Sequence, residues 1–141
     1  MVYQTVIEKW MRGDRRFLGC FPRDLLPPFP RQFPKTMIIN THDSNKPGEH
    51  WLGLVLLKNK CFYFDSFGVR IIDPNILSYL GKYNKVIYSS VCIQHIRSVK
   101  CGEFCTAFIK SVNSKNSYKK FISSFNHVDL LLNDDIVKIF I

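Results

Sequence analysis

The stretch W-L-G-L-V-L-L, residues 51–57, limits the fold more than any other part of the chain. Successive side chains of a strand point to opposite faces, so an apolar run without a polar break has no face to give to water. At seven residues it is also far too short to span a bilayer. It reads as a strand buried on both faces, inside a sheet covered on each side. K-N-K then reads as a turn and C-F-Y-F-D (61–65) as a second strand, so 51–65 is expected to be a hairpin.

Other segments supply the sheet's neighbours and its cover. T-M-I-I-N (36–40) and K-V-I-Y-S-S-V-C-I (85–93) have β-like composition. P-N-I-L-S-Y-L (74–80) starts with proline where a helix tolerates it. Val6, Ile7, Trp10 and Met11 put one apolar face on a short helix over 3–11. Residues 17–34 hold five of the seven prolines, which predicts an extended arm rather than a strand or helix. From Cys101 the apolar spacing becomes helical through Phe104, Cys105, Phe108, Ile109 and Val112. Further helices are expected near 117–125 and within 127–140. The order helix, β-rich middle, helix gives an α+β class. With 141 residues and no linker or repeat, a single domain over 1–141 is expected.

The N-terminus has no continuous apolar stretch, so no secretory signal is expected and the chain should stay in a reducing compartment. Five cysteines then argue against a disulfide scaffold. A net charge of +9 suggests attraction to nucleic acid or another polyanion; the alternative is scattered solubility charge. No run of five basic residues and no basic–aromatic ladder points to base-specific reading.

Close-spaced cysteine pairs mark structural zinc sites. Here C-x3-C (101–105) falls on a helix and Cys20, Cys61 and Cys92 stand alone, so neither metal nor cofactor is expected. Cys61, Cys92 and Cys105 lie on apolar strand or helix faces and are expected to be small buried hydrophobes. Cys101 differs: it opens the helix, after polar S-V-K and before Gly102. Unpaired N–H groups and the positive end of the helix dipole favour a thiolate there, which makes a nucleophile an alternative to a buried thiol.

A nucleophilic thiol needs a base, a group that orients the base, and a donor for the oxyanion. Of the four histidines, His42, His95 and His127 fall in loops or turns, whereas His50 immediately precedes the buried strand. Antiparallel pairing of the hairpin would land Asp65 opposite the start of that strand, beside His50. The alternative for Asp65 is a turn cap in D-S-F-G. Gln94, seven residues before Cys101, could offer its amide N–H beside the Cys101 backbone N–H.

G-E-H-W, then Y-F-D-S-F-G, then I-Q with a serine four residues on, then C-G-x-F-C, together resemble the adenovirus protease (adenain) family of cysteine peptidases, itself similar to the SUMO-deconjugating peptidases. I-I-N-T resembles the family's first strand, and the likeness covers about residues 15–112. It implies a papain-like, adenain-type fold, with a central mixed or antiparallel sheet flanked by helices and the nucleophile at a helix N-terminus. It implies His50 as general base, Asp65 orienting it, Gln94 with the Cys101 N–H as oxyanion hole, and Cys101 as nucleophile. Adenovirus enzymes carry Glu where this chain has Asp65; the deconjugating enzymes carry Asp. The chain is also shorter than the adenovirus enzyme. The adenovirus enzymes are activated by DNA and by a viral peptide disulfide-linked to a cysteine upstream of the oxyanion glutamine. Cys92 lies too near Gln94 to match the peptide-linked cysteine, so a peptide activator is kept as an open partner with no residue assigned. The compact size suggests a small DNA virus or a Polinton/Maverick-type element, with the protein in the virion or in the host nucleus or cytoplasm.

The order His, Asp, Gln, Cys separates this chain from papain-like enzymes, in which Cys comes first. Chymotrypsin-like cysteine proteases share the order but need two β-barrels. Three functions remain open: an endopeptidase maturing viral or virus-like structural precursors, a peptidase acting on SUMO- or ubiquitin-like tails, and a non-enzymatic basic DNA-binding or packaging protein.

Overall fold

The computed structural model describes residues 2–44, 50–70 and 73–141. Helix α1 (Gln4–Trp10) is followed by strands β1 (Phe17–Pro22), β2 (Lys35–Asn40), β3 (Trp51–Leu56) and β4 (Lys60–Phe64). Then come α2 (Pro74–Leu80), β5 (Lys85–Tyr88), α3 (Cys101–Asn113), α4 (Tyr118–Ser123) and a tail of short turns that includes α5 (Asn133–Ile136). The strands form one mixed sheet in the order β1-β2-β3-β4-β5. Its two outer pairs are parallel and its two inner pairs antiparallel.

β3 is the central strand, and all six of its residues are buried, as an unbroken apolar run requires. Its side chains divide between two cores. Leu52, Leu54 and Leu56 join Met37, Ile39, Cys61 and Tyr63 under α2. Trp51 and Val55 join Ile38, Phe64, Phe104 and Phe108 under α1, α3 and α4. Gly53 lies beneath α3, with Phe108 and Ile109 at van der Waals distance from where a Cβ would be. Phe64 stacks on Phe108 with ring centroids 4.3 Å apart. The α+β class and the mixed sheet flanked by helices are as expected.

Two expectations are corrected. The proline-rich stretch opens with strand β1, parallel to β2. β1 is an edge strand and its proline is its last residue, so the missing N–H costs no interior ladder bond. The strand expected over 85–93 ends at Tyr88. Beyond Tyr88 the chain leaves the ladder: the N–H groups of Ile93 and Gln94 both donate to the Ser66 carbonyl. Cys92 is therefore exposed, not a buried hydrophobe, and Gln94 sits in a loop rather than at a strand end. Among the described residues, no helix is long and apolar enough to cross a membrane.

Candidate active site

His50 is held at the mouth of the sheet by an extension of the β2–β3 ladder. Asn40 pairs with Trp51, and Thr41 N–H donates to the His50 carbonyl at 3.0 Å. On the next strand Gly53 pairs with Phe64. Three steps further along, that register would set His50 opposite Phe67, and the two rings do stack, with centroids 5.3 Å apart. One residue past the end of β4, Asp65 accepts at Oδ1 from His50 Nε2 at 2.9 Å and from Phe67 N–H at 3.0 Å. One oxygen thus makes both the turn contact to Phe67 and the contact to the His50 ring. Ser89, buried, brackets the Asp65 backbone through its hydroxyl. Gly48 and Glu49 of the G-E-H-W stretch lie outside the described residues.

Cys101 is the first residue of the 13-residue helix α3, which has no side-chain cap. Its backbone N–H therefore belongs to the unpaired first turn. Its thiol lies within hydrogen-bonding reach of the His50 ring. Because Nε2 is taken by Asp65, Nδ1 is the nitrogen left for sulfur. Burial, the largest influence on the His50 pKa, works to lower it. Hydrogen bonds to Asp65 and Cys101, with the charges of both, outweigh burial and push it up to about 9. The His50 side chain is 22% exposed and that of Asp65 7%, so a substrate could reach the imidazole while the carboxylate stays covered.

The other thiols differ in kind. Burial pushes Cys61 up to about 12 and Cys105 well above its ordinary value. Cys105 Sγ donates to the Trp51 carbonyl at 3.2 Å. Gly102 is crowded: a Cβ there would meet Val2, Trp51 and Ile7. Trp51 in turn donates its indole N–H to the Val2 carbonyl at 3.2 Å.

Gln94 is almost fully buried. Its Oε1 accepts from Ser66 Oγ at 2.5 Å, and its Nε2 donates to the Ser98 carbonyl at 3.0 Å and to Ser98 Oγ at 3.3 Å. The structure thus brings His50, Asp65 and Cys101 together and packs Gln94 into the loop that leads to α3, with its amide turned to Ser98. Reading the residues did not single out Phe67, Ser66 or Ser89. Their signal was position: D-S-F-G surrounds the carboxylate, and Ser89 follows β5. Among the described residues, no three His, Cys, Asp or Glu side chains form a group that could hold a metal.

A mixed sheet sandwiched between helices, with a thiol at a helix N-terminus facing a His–Asp pair on a hairpin, defines a fold of the cysteine-peptidase type. The chain belongs to the adenovirus endoprotease family, whose model matches residues 17–134. Among solved structures it is similar to the ASFV pS273R protease. One crystal structure gives a TM-score of 0.60 at 15% identity, covering 96% of this chain and 62% of that one. The selenomethionine form gives 0.51 at 18% identity, covering 73% and 42%. The chain thus spans 42–62% of the length of those solved chains. At such identities the likeness is one of fold. No curated protein matches in sequence.

Proposed function

We propose that the chain is a cysteine endopeptidase with Cys101 as nucleophile, His50 as general base and acid, Asp65 orienting His50, and Gln94 with the Cys101 N–H holding the oxyanion. The observation that carries this reading is the shared imidazole: Asp65 on Nε2 at 2.9 Å, and the Cys101 thiol within hydrogen-bonding reach of the same ring. Its pKa of about 9 keeps His50 protonated at neutral pH, so the thiol proton is carried on Nδ1 and the reactive pair is a Cys101 thiolate beside an imidazolium whose Nε2–H stays on Asp65. The thiolate attacks the carbonyl carbon and the oxyanion forms near the start of α3. The amide of Gln94 has two hydrogens; the 3.3 Å contact to Ser98 Oγ is the weaker and is the one exchanged for the oxyanion. Nδ1–H then protonates the leaving amine as the C–N bond breaks, and water activated by the same nitrogen hydrolyses the thioester.

The substrate proposed is a viral or virus-like structural precursor; a ubiquitin-like C-terminus is the second reading. A capsid-precursor peptide and a fluorogenic ubiquitin-like tail, assayed side by side, separate the two. Retained cleavage by Cys101→Ala or His50→Ala would overturn the assignment of roles. DNA is proposed as a partner on different grounds. Lys58, Lys60 and Lys85 sit at the end of the sheet opposite His50, with Lys60 paired to Lys85. The α3 C-terminus reaches the same end, where Asn113 donates to Thr36 and Arg16 donates to the Asn113 carbonyl. A polyanion held there leaves the cleft free.

A further inference from the structure

The C-terminal turn reaches back about 40 residues to grip the Gln94 loop at two points. Asn133 is fully buried and its side chain makes three hydrogen bonds, including both of its donors. Its Nδ2 donates to the Ile93 carbonyl and to the Asn126 carbonyl, each at 2.8 Å, and its Oδ1 accepts from Asn126 N–H at 2.7 Å. The Ile93 carbonyl belongs to the peptide immediately before Gln94. Asp134 Oδ1 accepts from Ser98 Oγ at 2.8 Å. Ser98 Oγ in turn accepts from Gln94 Nε2 and, at 3.2 Å, from Lys100 N–H. Val137, fully buried, anchors the turn in the α3 core.

This arrangement has a direction. A hydroxyl owns one hydrogen, and Ser98 gives it to a carboxylate that can only accept. Ser98 is thereby tied to the C-terminal turn, and its carbonyl, which can only accept and does so at 3.0 Å, requires the NH2 end of Gln94 to face the α3 end of the loop. Ser66, at the other end of the amide, imposes no such choice, because its hydroxyl can donate or accept. Without the carboxylate Ser98 loses its tie to the C-terminal turn, and the carbonyl that aims the Gln94 amide is free to shift.

We propose that Asp134, with Asn133 beside it, is a positioning residue for the oxyanion donor: its carboxylate fixes Ser98, and Ser98 fixes the amide of Gln94. The proposal rests on the reading of Gln94 given above. Both act through the Gln94 loop and are assigned no part in the bond-making steps.

Two probes of Cys101 separate positioning from folding. p-Nitrophenyl acetate transfers its acetyl group to Sγ, releasing p-nitrophenolate through an oxyanion; iodoacetamide alkylates Sγ by displacing iodide, with no oxyanion. Both reactions are followed at Cys101 by peptide mass spectrometry. Removing an oxyanion donor outright costs on the order of a hundredfold, so in Asp134→Ala, which misorients the donor, acylation should fall about tenfold with alkylation essentially unchanged. Asp134→Asn, which can still accept from Ser98 through its carbonyl, should restore most of the rate. The double variant Asp134→Ala/Ser98→Ala should be no slower than Ser98→Ala alone. Unchanged acylation in Asp134→Ala, a parallel fall in alkylation, or losses that multiply in the double variant would each overturn the proposal. Gln94→Ala, run alongside, tells the two readings apart. If it acylates normally, the oxyanion assignment fails and the positioning role with it; if it is slow while Asp134→Ala is not, only the positioning role fails.

Discussion

Replacing Asp65 by Asn keeps the shape of the side chain and removes its charge, which isolates what the carboxylate does for His50. Burial is the largest influence on this imidazole and lowers its pKa; Asp65 heads the influences that raise it to about 9. The contact is short, 2.9 Å, and the carboxylate is covered. A hydrogen bond to a charged group in such a setting is worth about 1.5–3 kcal/mol. At about 1.4 kcal/mol per pH unit, Asp65→Asn should lower the His50 midpoint by about 1–2 units, to about 7–8. The sign follows from the raised pKa. The protonated ring is complete well below the midpoint and is lost as pH rises through it, so wild type keeps its proton donor until about pH 9 and the variant loses it earlier. The assay is an NMR titration of ring-labelled histidine; with four histidines in the chain, His50 is assigned by substitution. A wild-type midpoint near 6.5, or a variant midpoint that is unmoved or raised, would refute the reasoning.

Other consequences are open to measurement. Gly68 has φ +71° and an added Cβ would lie 2.8 Å from the Val91 backbone carbon, so Gly68→Ala should cost about 1–3 kcal/mol in urea unfolding and slow acylation by moving the Gln94 loop; a neutral result would contradict the backbone contact. Phe108→Ala empties the centre of the α3 core between Phe64 and Phe121 and should cost about 3–5 kcal/mol with an unchanged urea m-value; a loss below about 1 kcal/mol would mean that the stack is not formed. DNA affinity should fall as salt rises, and replacing Lys58, Lys60 and Lys85 by Ala should flatten the log–log slope by up to about 3; a slope that does not change places any DNA elsewhere. Under native conditions iodoacetamide should modify the exposed Cys92 and spare Cys61 and Cys105, and modification of Cys105 in folded protein would contradict its burial.

How much was legible in the sequence depended on whether a feature was local. The run 51–57 announced a doubly buried strand because burial on both faces leaves a continuous apolar signature, and the hairpin that joins His50 to Asp65 followed from it. α3 was legible because its apolar stripe begins at Cys101. The arm at 17–34 was misread because proline composition says nothing of strand order: β1 is permitted by its place at the sheet edge, a property of the whole sheet. β5 was read too long because S-S-V-C-I is β-like, yet the chain turns away to bond Ser66. Asn133 and Asp134 went unmarked because their partners, Ile93 and Ser98, are about 40 residues away. A signal existed in the polar N-D-D inside L-L-L-N-D-D-I-V, where Asn133 falls on the same face as buried Val137.

The central claim is that Cys101 attacks carbonyl carbon with His50 as its base. Its most direct test is acid-quenched peptide mass spectrometry of protein mixed briefly with p-nitrophenyl acetate. An acetyl group on Cys101 that is absent from His50→Ala is the predicted result. Acetylation confined to the exposed Cys92, or Cys101 acetylated equally fast without His50, would contradict it.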